Sequence, residues 1–416
     1  MNVSLLSINR SLCFFAIVVF SACVQRDNKT ASEKDVLSKT DSIKEKINEP
    51  FIIDLEKKYP ERKMTLQDVA EIEYVALETS DDVLISSGPV SISDNHIIVS
   101  NRTSGQFMFF DREGHILTHF NHKGGSGEEY KSFHRWVYDE QKDELYVLDM
   151  PSRRIYVYSS NGLFKRKLNT SPTCLLERLS NFNDSTLLAK KTYMYDYQNN
   201  INHTNEKDYV LLSKKDGRIV STIDFSLSNR IPTVAIRKEN GENLYLTFMA
   251  PNDIINSGEY TVIADISSDT IYKLHKNNQL TPFIIRKPSV HDTKPVLLFE
   301  ASIITDKYVF FCKHSYEYDS EDAQGITSSE EFAYDRYSKE CFCPNFYNAD
   351  FPKSEDFTMY GFRKIAIGKN RAAKLIKAED LTEALKNGEL SGKLKEIAST
   401  IHEDDNPVVM ILRFKE

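Results

Sequence analysis

Three stretches of the chain align without a gap: NRTSGQFMFFDREG (101–114), DMPSRRIYVYSSNG (149–162) and DISSDTIYKLHKNN (265–278). Each opens on Asn or Asp and reaches an apolar strand position six residues later, at Phe107, Ile155 or Ile271. Seven residues further comes a turn residue, Gly114, Gly162 or Asn278. Two weaker copies keep the second interval, Val210 to Gly217 and Phe332 to Lys339. Copies recur about every 50–60 residues, a spacing characteristic of propellers and solenoids.

Each copy reads as four short strands. In the clearest one they are RWVYD, ELYVLD, RIYVYS and FKRKL, joined by turns of Asp, Asn, Gly and Ser. The patterns in IYVYS and FMFFD mark strands buried on both faces, as stacked sheets require. The expected fold is all-β, a six-bladed β-propeller of four-stranded antiparallel blades. Five blades are expected at about 90–120, 135–168, 179–223, 243–286 and 302–347. A sixth takes its inner strands from RKIAIG and AAKLIKA, its third from NPVVMILRFK, and its outer strand from AEIEYVALE (70–78). That arrangement leaves no exposed sheet edge where the ring closes. Five or seven blades are the alternatives, because the fourth and sixth copies carry few markers.

The N-terminal region reads as an address. Arg10 is the only charge before an apolar run, Ser11 to Ala22, too short to span a bilayer, which takes about 20 residues. The run stops at Cys23 behind FSA. Residues 1–22 thus resemble a bacterial lipoprotein signal, with Phe20 where such signals usually carry Leu. The resemblance implies lipidation of Cys23 and a cell-envelope location at the outer membrane, on either side. An ordinary secretory signal is the alternative. Residues 23–50, with no aromatic residue after Cys23 and many Lys, Asp, Glu, Ser and Thr, read as a flexible tether. Residues 51–416 form the propeller.

The segment from Phe110 to Gly162 resembles an NHL-type repeat with its G-x-G-P-G-E/Q-F corner, here NHKGGSGEEY with Ser126 in place of Pro. EIEYVALETSDDVLIS and DDNPVVMILRFKE resemble the six-bladed β-propeller lipoproteins of Gram-negative bacteria. The resemblance covers residues ~65–416 and implies the fold, with little about activity. A phosphate-binding reading of the corner fails, since Glu128 and Glu129 would repel the anion and no helix follows. The corner is expected to link one blade to the next, with glycine supplying positive φ.

The blade plan sorts the loops onto two faces. Long connections fall on one: 192–208, 314–331, and a helical insert at about 379–403 broken at Gly388, with Leu381, Leu385, Leu394 and Ile397 apolar. Expanded loops on a rigid scaffold collect binding residues. The candidates are Tyr193, Tyr195, Tyr197, Tyr316 and Tyr318, whose rings either grip a ligand or pack their own loops. Arg102 and Arg153 approach the channel mouth, near Arg154. Asn101, Asp149 and Asp265 recur as blade hardware, bonding backbone, or reach a ligand at that mouth.

Recognisable chemistry is sparse. His115, His119 and His122 have metal-like spacing, but His122 falls in a loop, so no metal or other cofactor is expected. Cys174, Cys312, Cys341 and Cys343 could form disulfides in an exported chain or remain buried thiols. A net charge of −8 without a Lys/Arg stripe argues against nucleic acid. The leading expectation is a lipid-anchored, non-enzymatic module that binds a glycan, peptide or envelope protein through its long-loop face. The alternative is a carbohydrate-active hydrolase or lyase at the central channel mouth, whose paired carboxylates would come from different blades. A purely structural envelope protein is a third reading.

Overall fold

In a computed structural model, the strand patterns resolve into stacked antiparallel sheets. The structure describes residues 49–133, 135–170, 175–192, 206–231, 234–239, 242–247, 251–317, 326–353, 357–365 and 370–416. Among the described residues, blade 1 runs Val90–Ile92, Ile97–Asn101, Gln106–Phe110, Ile116–Asn121. Blade 2 runs Arg135–Asp139, Glu144–Asp149, Arg154–Tyr158, Phe164–Asn169. Blade 3 runs Leu175–Asn181, Thr186–Thr192, Tyr209–Ser213, Ile219–Thr222. Blade 4 runs Ile254–Asn256, Thr261–Ile263, Thr270–Leu274, Leu280–Lys287. Blade 5 runs Val296–Ile304, Tyr308–Tyr316, Ile326–Asp335, Glu340–Tyr347. Blade 6 joins Arg371–Ile376 and Val408–Phe414 to Ala70–Ala76.

The last pairing closes the ring. Val408 to Phe414 runs antiparallel to Ala76 to Ala70 without a register break. Asn406 locks the exit from this strand pair: its side chain accepts the Ile85 N–H and donates to the Glu78 and Val83 carbonyls.

Packing shows the same circle. Because successive side chains of a strand point to opposite sides, Phe107 and Phe109 enter a cluster with blade 2 while Met108 and Phe110 enter one with blade 6. Further clusters join blades 2 and 3, 3 and 4, 4 and 5, and 5 and 6. Each fully buried Phe, Leu or Ile in these wedges contributes about 1.5–3 kcal/mol. The ring is held by side-chain wedges as much as by the closing strand pair.

The repeat also has a backbone meaning. Its last position is left-handed in all five copies: Gly114 (φ +96), Gly162 (+75), Gly217 (+81), Asn278 (+67) and Lys339 (+61). In the first four, a bulge in the pairing of third and fourth strands lies a few residues before that turn.

Several boundaries differ from expectation. Blade 4 begins at Ile254, because Glu242–Thr247 pairs instead with Val234–Glu239 in a separate hairpin. Blades 3 and 5 begin earlier, at Leu175 and Val296. The described part of RKIAIG lies in a 3₁₀ segment, Met359–Ile365, and not in a strand. The N-terminal segment does more than close blade 6. Phe51–Asp54 and Glu61–Thr65 add parallel fifth strands to the outer edges of blades 4 and 5. The insert in blade 6 forms helices Ala378–Lys386 and Gly392–Ala398, with Gly388 left-handed between them. Residues 1–48, including Cys23, lie outside the described residues.

Candidate ligand-binding face

Antiparallel strands place the connections between second and third strands on one face, together with the links from blade to blade. The glycine-rich corner is one of those links. Gly124 N–H donates to Tyr130 O (3.0 Å) and Tyr130 N–H to His122 O (3.1 Å), so the chain doubles back tightly. Tyr130 is buried and its hydroxyl donates to Gly105 O.

The reason for glycine here is not the expected one. Gly124, Gly125 and Gly127 are absent from the left-handed positions of the chain. A Cβ on Gly124 would instead meet Glu129 Oε2 at 2.1 Å. The Glu129 carboxylate folds back over this glycine and accepts the Ser126 N–H at 2.8 Å. That backbone donor holds its pKa below the usual carboxylate range. The corner does cradle an anion, and the anion is its own side chain.

Beside it lies a cavity of about 250 Å³, bounded by Gly124, Gly125, Ser126 and Glu129 on the corner, by Lys131, and by Ser152, Arg154 and Tyr156 of blade 2. Asp149, the repeat residue of this blade, shapes its rim by accepting the Lys131 and Ser152 N–H groups. Among the described residues, the charged groups of Lys131 and Arg154 have no hydrogen bond or ion pair. One ionised carboxylate, held by a backbone N–H, therefore faces these two cations across a space lined by hydroxyls.

Toward the axis the innermost strands bring further charge together. Arg102 is exposed and donates through Nε to Phe133 O at 3.2 Å. Burial pushes the Arg135 guanidinium down to about 10, and the nearby cations Arg178 and Arg102 add to the effect. Arg178, on the innermost strand of blade 3, donates through Nη2 to Pro251 O. Its Nε stands 4.0 Å from Asp253 Oδ1, and among the described residues neither of these buried atoms has a hydrogen-bond partner. The other oxygen of Asp253 binds the Lys190 ammonium, which also contacts Asp265 at 3.0 Å and Glu177 at 3.5 Å. Burial alone would lower Lys190, but Asp253 and Asp265 hold it well above its ordinary value. Burial raises Asp253. In Asp265 the same burial is outweighed by Lys190 and the Ser267 N–H, and its pKa falls.

A second polar group occupies blade 5. Glu300, fully buried, accepts the Asn252 N–H (3.0 Å) and the Tyr360 hydroxyl (3.2 Å). His314 Nδ1 shares a 2.7 Å bond with Ser329 Oγ. Glu331 accepts the N–H groups of Met359 and Tyr360. The buried carboxylates Asp253, Asp265 and Glu300, and the half-buried Glu331, thus each already hold a donor.

The expected site residues fare unevenly. Tyr193, Tyr195, Tyr197, Tyr318 and Cys174 lie outside the described residues. Tyr316 is 2% exposed and packs with Ile266, Val290 and Leu298, so its ring serves the core. Arg102 reaches the channel-mouth cluster. Arg153 is left-handed (φ +54), and its carbonyl accepts Thr170 Oγ1 at 2.8 Å. Asn101, Asp149 and Asp265 each bond backbone N–H groups two or three residues ahead. His115 binds Asp111, His119 is exposed, and His122 binds Gly162 O against the Tyr158 ring. Cys312, Cys341 and Cys343 are free thiols. Lys131, Arg135, Arg178 and Asp253 were not singled out in the sequence, because their neighbours come from other loops and blades.

The family model described as a domain of unknown function (DUF4934) matches residues 50–413. No curated protein sequence matches the chain. Among solved structures, one of a Bacteroides fragilis protein described as exported is 14% identical, with a TM-score of 0.58, over 88% of this chain and 100% of that one. A DUF4221 family member from Bacteroides vulgatus is 9% identical at TM-score 0.44, covering 83% and 97%. BamB from Moraxella catarrhalis is 11% identical at 0.37, covering 83% and 99%. Of these three, the first bears on the fold and on nothing else.

Proposed function

The chain belongs to the DUF4934 family, and on that premise we propose that it is a lipid-anchored binding module of the outer membrane, taking an acidic ligand on its long-loop face. The observation that carries the reading is the cavity at the corner of blades 1 and 2, where the charged groups of Lys131 and Arg154 have no partner among the described residues. Concave, preformed spaces with a few converging polar groups are where small ligands bind. An acid group entering here gains two charge-assisted hydrogen bonds, about 1.5–3 kcal/mol each, offset in part by repulsion from the Glu129 carboxylate on the same wall. Ser126 and Ser152 supply hydroxyls, and Tyr156 an aromatic edge. Lipid anchoring rests on the apolar run that ends at Cys23.

Calorimetric titration of the full chain with sulfate and with glucuronate tests the reading. Binding that weakens about tenfold or more in Lys131→Ala and in Arg154→Ala supports it. Binding of neither acid, or binding indifferent to both substitutions, overturns it.

A further inference from the structure

We propose that the channel mouth holds an acidic-sugar subsite, in which a ring hydroxyl bridges Arg178 Nε and Asp253 Oδ1 and the adjoining carboxylate faces Arg102 and Arg135. The inference rests on the reading of the long-loop face as a binding face, and it names the ligand class.

The argument starts from the two orphaned atoms. Arg178 Nε–H is a donor, Asp253 Oδ1 an acceptor, and they face one another at 4.0 Å, too far for a direct bond. Asp253 is 1% exposed, and its second oxygen is fixed on Lys190. Buried polar groups left unpaired are costly, on the order of 1–3 kcal/mol each, and their persistence at one point calls for a group that satisfies both. That group must accept on one side and donate on the other. A hydroxyl does so. A carboxylate alone cannot, because it has no proton for Asp253, and an ammonium alone cannot, because it has no lone pair for Arg178. Water meets the same requirement, and a ligand hydroxyl that displaces it reproduces both bonds.

The surroundings supply the second half of the specificity. Arg102 and Arg178, from blades 1 and 3, both lie within electrostatic reach of Arg135 on blade 2, and Arg102 is tied to blade 2's entry through Phe133 O. Glu177 and Asp253 offset part of this charge, but Glu177 also contacts Lys190. Guanidinium groups match carboxylates by their paired N–H donors. A hydroxyl beside a carboxylate on a rigid ring is the arrangement found in a sugar acid. Neutral sugars lack the charge, and simple anions lack the bridging hydroxyl.

The test compares two acids of similar size on the full chain: glucuronate, which has ring hydroxyls, and cyclohexanecarboxylate, which has none. Glucuronate is expected to bind at least about tenfold more tightly. Arg178→Lys, which keeps the charge and removes Nε–H, is expected to close that gap, with thermal melting confirming the fold. Sulfate binding that depends on Lys131 is expected to stay unchanged in Arg178→Lys. Equal binding of the two acids, or a gap that survives Arg178→Lys, overturns the subsite while leaving the corner cavity standing. Binding of no acid at all removes both.

Discussion

Arg413 Nη2 lies 2.7 Å from Glu73 Oε2, joining strands that are 340 residues apart in sequence at the seam of the ring. Both side chains are partly exposed, so this pair contributes about 0–1 kcal/mol. The apolar side chains on the same strand carry the closure. Ile411→Ala, at a position 1% exposed, is expected to lower stability by about 2–5 kcal/mol, and Arg413→Ala by less than about 1. Denaturant unfolding followed by circular dichroism measures both. Because blade 6 contacts blades 1 and 5, the transition is expected to remain single.

Glu331 makes stability depend on pH. Burial raises its carboxyl from 4.5 to about 7, against the opposing N–H groups of Met359 and Tyr360. The folded chain thus holds this proton more tightly than the unfolded one. The stabilisation is complete below pH 4.5 and is lost as pH rises through 7, a change of roughly 3 kcal/mol. Urea unfolding at intervals across this range should show the decline, and Glu331→Gln should flatten it.

The left-handed repeat position yields opposite outcomes in two blades. A Cβ at Gly162 would sit 2.7 Å from the Phe120 ring at φ +75, so Gly162→Ala is expected to destabilise by about 1–3 kcal/mol. Lys339 already bears a side chain at φ +61. Replacing it with glycine is expected to stabilise by about 0.5–1 kcal/mol. Thermal melts of the two variants give the signs directly.

Cys23→Ala tests the anchor. The wild-type chain is expected in the membrane fraction with a mass increase from acylation. The variant is expected to lose both the acyl mass and membrane retention.

The fold was largely legible because its determinants are local and repeated. The spacing from Phe107 to Gly114 records a bulged third strand and a left-handed turn, and that from Phe332 to Lys339 records the turn. The closing pair was legible because Ala70–Ala76 and Val408–Phe414 both read as strands that lacked a blade. Phe51–Asp54 and Glu61–Thr65 escaped notice as edge strands: they are short, and charged side chains mask their pairing partners. At the face, Arg102 was visible through repetition at a strand end. The slot between Arg178 and Asp253 was not, since it joins residues of different blades and depends on which of their atoms remain unbonded. Tyr316 shows the converse failure, a residue whose type suggested a ligand surface and whose burial assigns it to the core.

The most direct test of the acid-binding face is a crystal structure of the chain grown with saturating glucuronate. The expected result is a sugar acid at the channel mouth, with one hydroxyl within 3.2 Å of both Arg178 Nε and Asp253 Oδ1, or a carboxylate held between Lys131 and Arg154 in the corner cavity. Glucuronate bound only on the opposite face of the ring, with water alone at both positions, would contradict the account.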